Sequence, residues 1–205
     1  MKKLRAVLFL VLYATTLSAC RGQEHYQANA DRLAVLLNWH AGSVVAEIGA
    51  GEGQMTLVAA KDVGPTGRVY TTELDEKKLA HLKELAATNP DLTALQASQD
   101  TTNLPAECCD SIFLRRVYHH FTQPEKLDAS LLQALKPGGM LAVIDFPPRT
   151  GLPAVEGVPK NRGGHGIPQK ILIDELTAAG FEVEGIPTDW PDDDYCVVFR
   201  KPAAK

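Results

Sequence analysis

The sequence lacks most features that would place it in a special class of protein. Its 4 cysteines in 205 residues are too few for a disulfide-dense scaffold. No apolar run reaches the ~20 residues that a membrane-spanning helix needs. No fixed-period repeat is present, which excludes solenoids and propellers, and there is no low-complexity tract. Bases are not in excess: 21 Lys+Arg stand against 25 Asp+Glu, a net charge of −4. That balance argues against a broad phosphate-binding surface, and so against nucleic acid as the main partner. What is there is ordinary. Hydrophobic residues at 45% and charged residues at 22% suit a globular chain and exclude collagen-like, coiled-coil and wholly disordered ones. The length suits one domain.

The charge is unevenly spread. Lys2, Lys3 and Arg5 give the first 19 residues +3 with no acid, leaving −7 on the remaining 186. A short basic start, an uncharged stretch from Ala6 to Ala19 and small residues at its end have the order of a secretory signal. Leu17-Ser18-Ala19-Cys20 resembles a bacterial lipobox. The resemblance implies that 1–19 is a signal peptide, that Cys20 is lipidated, and that 20–205 is a single domain. The chain would then be exported and anchored to the membrane, facing the periplasm or cell exterior; the alternatives are an uncleaved N-terminal anchor or a cytoplasmic protein with a chance apolar start. Without Cys20, the odd set Cys108, Cys109 and Cys196 remains, which reads as structural thiols. No His or further Cys stands at ligand spacing beside the Cys108–Cys109 pair, and no metal is expected.

Beyond residue 30, apolar periodicity alternates between helix and strand. Helices are predicted over 31–40, 54–62, 75–87, 124–135 and 168–179, and strands over 43–48, 68–72, 92–97, 110–114, 140–146, 181–186 and 195–200. This alternation predicts an α/β fold, a mostly parallel sheet with helices on both faces. The segment 147–167, rich in Gly and Pro, is left irregular; a loop of that length in a compact domain points to function or disorder.

The chemistry gathers where strands end. Glu47-Ile48-Gly49-Ala50-Gly51-Glu52-Gly53 follows the first strand and opens a helix, and its glycines allow backbone to approach a ligand closely. The third glycine of a dinucleotide fingerprint is missing, because Gln54 stands in its place. A nicotinamide-dependent oxidoreductase is therefore disfavoured. Glu73, which is 22 residues past Gly51, ends the second strand, where a carboxylate can accept ribose hydroxyls. Asp100 lies in the loop after the third strand. Acids at three successive strand ends form a constellation that helix capping alone does not explain.

These residues resemble class I S-adenosylmethionine-dependent methyltransferases, in particular those predicted ones that carry export signals. The resemblance rests on 45–53 as the first motif, on 69–75 as the second strand with its acid, and on Asp100-Thr101-Thr102-Asn103-Leu104-Pro105 as the adenine-side loop. It continues through 110–114 with Tyr118-His119-His120-Phe121, as fourth strand and following helix, and through Leu135-Lys136-Pro137-Gly138-Gly139-Met140-Leu141 before the fifth. Arg32 before the first motif and His165 before the last helix are shared as well. The resemblance implies a Rossmann-like seven-stranded sheet, S-adenosyl-L-methionine as cofactor and methyl transfer as the reaction. Cofactor contacts would come from Glu47, Gly49, Ala50, Gly51, Gly53, Glu73, Leu74, Asp100, Thr101 and Arg115.

The expected acceptor is a small molecule, since neither a recognition domain nor an Asn-Pro-Pro-Tyr-like motif is present; Arg115-Arg116-Val117-Tyr118 follows the fourth strand instead. If the acceptor must lose a proton, a base is needed near that strand's carboxyl end. His119, His120 and Tyr118 are the candidates there, with His165 closing from the flexible Gly163-Gly164-His165-Gly166 stretch. Asp145, ending the fifth strand, faces either the acceptor or a structural partner. Arg149 and Arg162 are candidates to steer an anionic acceptor. The competing reading is an inactive cofactor-fold protein that binds a ligand or partner, motivated by the export signal, because the cofactor is made in the cytoplasm.

Overall fold

The computed structural model describes residues 26–203. The signal peptide and Cys20 expected from the sequence lie outside the described residues. Seven strands form one sheet in the order β3-β2-β1-β4-β5-β7-β6. They are β1 (Val44–Ile48), β2 (Arg68–Glu73), β3 (Leu92–Gln96), β4 (Cys109–Arg115), β5 (Leu135–Asp145), β6 (Glu182–Gly185) and β7 (Tyr195–Arg200). The first five pair in parallel, and β7 runs antiparallel to both β5 and β6. This is the Rossmann-like fold of class I methyltransferases. Among the described residues no helix is long and apolar enough to cross a membrane.

Side chains alternate across the central strands and build two cores. Ala46, Ile112, Leu141 and Val143 face one side, where they meet Leu127 and Leu131 of α4 (Pro124–Ala134) and Leu172 and Leu176 of α5 (Gln169–Ala178). Val45, Phe113, Ala142 and Ile144 face the other, against Leu33 of α1 (26–36) and Met55 and Ala59 of α2 (Gln54–Val63). The third helix, α3 (Glu76–Thr88), starts where the Asp75 carboxylate accepts the Lys77 and Lys78 amides at 2.9 and 3.0 Å. With both faces covered, the carboxyl ends of β1, β2, β4 and β5 open at one edge.

The expected helix over 31–40 is present over 26–36 and ends early, because Asn38 adopts a left-handed φ of 54°. Trp39 then turns inward to donate to Ser111 Oγ at 2.8 Å. The helix expected after β4 is only a 3-10 turn, Tyr118–His120. Phe121 is already extended (ψ 116°) and Gln123 has φ −130°, as suits the residue before Pro124.

Tyr118 does not face the strand-end opening. It is fully buried, with its hydroxyl 2.9 Å from Asp128 Oδ2 and 3.0 Å from Glu175 Oε2. One hydroxyl proton serves one of these carboxyls. Burial pushes Asp128 up to about 7, so Asp128 keeps its own proton in mildly acidic solution. Arg162 completes the cluster, and it too departs from expectation. Only 1% exposed, it pairs with Glu175 at 2.8 Å and donates to the carbonyls of Phe121 and Tyr118. It therefore has no access to an acceptor and instead anchors the 147–167 segment to α5. That segment folds back on itself, with the Arg149 amide donating to His165 O and the Val155 amide to Gly164 O. The Tyr118→Phe variant leaves the buried Asp128 and the partly exposed Glu175 without the hydroxyl between them. We expect it to lose about 1–3 kcal/mol in urea unfolding; unchanged stability would contradict this structural role.

Candidate active site

Glu47, the fourth residue of β1, points from the strand into the protein and is buried. It accepts a hydrogen bond from the Thr56 hydroxyl at the start of α2. Burial pushes its carboxyl up to about 8, against the opposing effects of Thr56 and of Arg115. Immediately after β1 the chain takes positive φ at Gly49, Gly51 and Gly53 (67°, 58° and 76°). The requirement differs among them. A Cβ on Gly49 would lie 2.7 Å from the Val117 side chain, whereas one on Gly51 would meet nothing within 4 Å. Gly51 therefore borders open space, and Gly49 makes room for the loop after β4.

Glu73 holds this loop to the end of β2. Its Oε2 accepts the Gly51 amide at 2.9 Å, and its Oε1 accepts the amides of Leu74 and Asp75 at 2.8 and 3.1 Å. Thr72 O accepts the Gly49 and Ala50 amides at 2.9 and 3.0 Å. Three successive loop amides, Gly49 to Gly51, are thus tied to the end of β2 without any loop side chain.

Two cavities flank the loop and share Gly49, Gly51 and Lys78 in their walls. The larger, about 490 Å³, runs from Glu73 and Leu74 past Ser98, Gln99 and Thr102 to Val117, His120 and Thr122. The smaller, about 280 Å³, is bounded by Tyr26, Glu47, Ala50, Met55 and Arg115. Arg115 lies in the smaller one with its Nε buried and without a partner, its guanidinium 5.6 Å from the Tyr26 ring. Burial and the neighbouring Arg116 lower its basicity.

Of the residues expected at a cofactor site, Glu47, Gly49, Ala50, Gly51, Glu73, Leu74 and Arg115 line these cavities. Gly53 lies behind them, packed toward Leu82 and Leu85. Asp100 and Thr101 are not in the walls. Asp100 accepts from the Ser98 hydroxyl at 2.6 Å, and Thr101 lies 3.2 Å from the Ser130 hydroxyl. The cavity meets this loop through Ser98 and Gln99 instead. Arg32 is also elsewhere: it pairs with Asp189 at 2.7 Å, 4.9 Å from the Trp190 ring.

Beyond the larger cavity, His119, His120 and His165 come together. Their ring centroids lie 4.1 Å apart for His119–His120 and 5.5 Å for His119–His165, with Phe146 4.7 Å from His119. Only His120 lines the cavity. Burial, followed by the neighbouring His119, lowers the basicity of His120 and favours its neutral form. Among the described residues no group of three or more His, Cys, Asp or Glu is placed to hold a metal ion.

Sequence reasoning missed Lys78, Ser98, Gln99, Val117 and Glu156 as wall residues. No local motif marks them. Glu156 comes from the 147–167 segment, which lies against Thr122 through Gly157.

Comparison with known proteins agrees with this geometry. Residues 46–143 match a family described as "Methyltransferase domain". The chain is 28% identical over 109 residues to the ubiquinone/menaquinone biosynthesis C-methyltransferase UbiE of Marinomonas sp. (strain MWYL1), a match over 52% of this chain and 43% of that protein. The chain thus spans less than half the length of the curated relatives it matches. A S-adenosylmethionine-dependent methyltransferase from Aquifex aeolicus superposes with a TM-score of 0.69 at 22% identity, covering 84% of this chain and 89% of that one. A possible exported protein from Bordetella parapertussis superposes at 0.64 with 19% identity, covering 89% and 68%.

Glu47 gives the protein a definite pH dependence. Its folded pKa lies above the ordinary value of 4.5, so the unfolded chain releases this proton first. Stability is then fullest below that ordinary value and falls as pH rises toward about 8, with Asp128 acting in the same sense up to about 7. We expect the unfolding midpoint to fall between pH 5 and 8, by an amount equivalent to about 2–4 kcal/mol for Glu47. Glu47→Gln should remove about half of the slope below pH 7, where Asp128 still contributes, and nearly all of it between pH 7 and 8. An equally steep slope in the variant would contradict the assignment.

Proposed function

We propose that this chain is a S-adenosylmethionine-dependent methyltransferase acting on a small molecule, exported and anchored to the membrane through a lipidated Cys20. One observation carries the cofactor reading: two cavities share the wall of a glycine loop, one holding a buried acid and an arginine whose Nε has no partner, the other a carboxylate. The residues fit the group. Arg115 Nε is a buried donor in need of an acceptor, which a ligand carboxylate supplies. Glu47 beside it suits a ligand ammonium, whose charge would draw its carboxyl back to the ionised form. Gly51 leaves the loop backbone open to close approach, Glu73 stands by for ribose hydroxyls, and Leu74 with Ser98 and Gln99 offers an apolar and polar border for a base. When bound, the cofactor supplies an electrophilic methyl group on a sulfonium sulfur.

The chain's own contribution is positioning. Placing a nucleophile in line at close range supplies much of the rate of such a displacement. The acceptor end of the larger cavity is walled by His120, Phe121, Thr122 and Glu156, a space suited to a small molecule. The matched methyltransferase domain and the methyltransferase names of the relatives support the reaction class. The lipobox-like Cys20 supports the address, as does the structural likeness to a possible exported protein.

The test is calorimetric titration of the chain with S-adenosylmethionine. Below about pH 8 Glu47 is protonated and must release that proton to meet a cation, so affinity should rise by up to tenfold per pH unit from pH 6 to 7.5. Glu47→Gln should bind more weakly and lose the slope. No heat of binding at millimolar cofactor would overturn the proposal.

A further inference from the structure

Cys108 and Cys109 stand side by side where β4 begins, at the end of the strand away from the glycine loop. Neither lines the two cavities around that loop. Cys109 is fully buried and Cys108 is half-buried, with their sulfurs 2.8 Å apart and both thiols free. Cys108 packs with Tyr70 and Leu132 against the core that holds Cys109. Cys196 is fully buried in the core on the other face of the sheet. One accessible thiol thus touches one inaccessible thiol, and the third is shut away from both.

The contact gives the two sulfurs different roles. Cys109 is the donor: its hydrogen bond to Cys108 and its burial hold its proton on far above the ordinary thiol range. That same hydrogen bond holds Cys108 below its ordinary value, and the Lys136 ammonium acts in the same sense. An exposed thiol beside a donor and a cation is the nucleophile of such a pair. The other titratable groups around it are Asp110, which pairs with Lys136 at 2.6 Å, and Tyr70.

The backbone at this point is outside the regular ladder. Glu107 has a left-handed φ of 49°. Cys109 lies opposite Leu135 whereas Ser111 lies opposite Met140, so the β4–β5 register shifts between them. Such an irregularity lets the chain bend locally without unpairing the rest of the strand. The bend matters because adjacent Cα atoms are only about 3.8 Å apart across a trans peptide, and a relaxed disulfide spans about 4.4–6.8 Å. A bridge between these neighbours is strained, and strained bridges are the readily reduced ones.

We propose that Cys108 and Cys109 form a redox site that exchanges with organic disulfides, with Cys108 attacking and Cys109 resolving. Cys108 sulfur, as the thiolate, attacks one sulfur of the external disulfide. That S–S bond breaks, and one thiolate leaves with the electron pair. Cys109 then loses its proton to solvent and attacks the Cys108 sulfur, expelling the second thiolate. A vicinal disulfide closes, two cysteine sulfurs are oxidised, and the external disulfide is reduced to two thiols. Burial does not hinder the second step, because Cys109 already touches the sulfur that it attacks. Strain makes the bridge reversible rather than a permanent staple.

The test is a titration of the folded full-length chain carrying Cys20→Ser, with 4,4′-dithiodipyridine as the disulfide. Two equivalents of thiopyridone should be released per chain. The product should be lighter by the mass of two hydrogen atoms and carry no pyridyl group, and digestion should place the bridge between Cys108 and Cys109. Dithiothreitol should restore both thiols. Cys109→Ser should release one equivalent and keep a stable pyridyl adduct on Cys108, and Cys108→Ser should not react until it is unfolded. A stable pyridyl adduct in the chain with both thiols, a bridge that includes Cys196, or no reaction of the folded chain would overturn the proposal. The titration of the chain with both thiols decides this even if neither variant folds. No outcome depends on cofactor binding, so failure here leaves the methyltransferase reading untouched.

Discussion

The Glu73 carboxylate is the tie on which the site depends. One oxygen holds the Gly51 amide and the other the amides of Leu74 and Asp75. The glycine loop carries positive φ at three alternate positions, a conformation with high freedom when unfolded and little packing of its own. Without a fixed acceptor at the end of the neighbouring strand it has no reason to keep one shape. Parallel pairing supplies that acceptor, because Ile48 lies opposite Thr72 and so brings the end of β1 beside Glu73. From this tie follow the open edge at Gly51, the two cavities on either side of the loop, and the placing of Glu47 and Arg115 in the smaller one.

The buried polar groups then divide by whether they are satisfied. Tyr118, Arg162, Glu175 and the carbonyls of Tyr118 and Phe121 meet one another inside the apolar layer under α4 and α5. That cluster does structural work, holding the long segment after β5 against the domain. Arg115 Nε and His119 Nε2 are left unmet at the strand-end edge, and Thr72 Oγ1, Asp128 Oδ1 and Trp190 Nε1 are unmet as well. The same low-polarity surroundings that strengthen the cluster make these open positions costly, and a ligand bound beside Arg115 removes the cost there.

Much of this was legible from the sequence. Seven strands are expected and seven are present, although β5 begins five residues early, at Leu135, and β6 is a short, largely exposed Glu182–Gly185. The loop was marked by its glycines, and Glu73 by its distance of 22 residues from Gly51, which the hydrogen bond between them explains. Other features were beyond local pattern. Tyr118 lies beside two histidines at a strand end and so read as a site residue, yet its partner Glu175 is 57 positions away. Arg162 read as an exposed base in a loop for the same reason. The turn Tyr118–His120 is too short for any periodicity to show which way its side chains point. Asp145 stood between two readings, and its hydrogen bonds to His119 decide for a supporting role rather than contact with the acceptor.

The most direct measurement is the affinity of Glu73→Gln for S-adenosylhomocysteine, set beside that of the wild-type chain at one pH. Glutamine keeps the size of the side chain but replaces one accepting oxygen with a donor, so at least one loop amide loses its partner and the ribose loses its acceptor. The account predicts a loss of about tenfold to a hundredfold in affinity, the value of one or two hydrogen bonds to a charged group, in a protein that still unfolds cooperatively. An affinity equal to the wild type would contradict it.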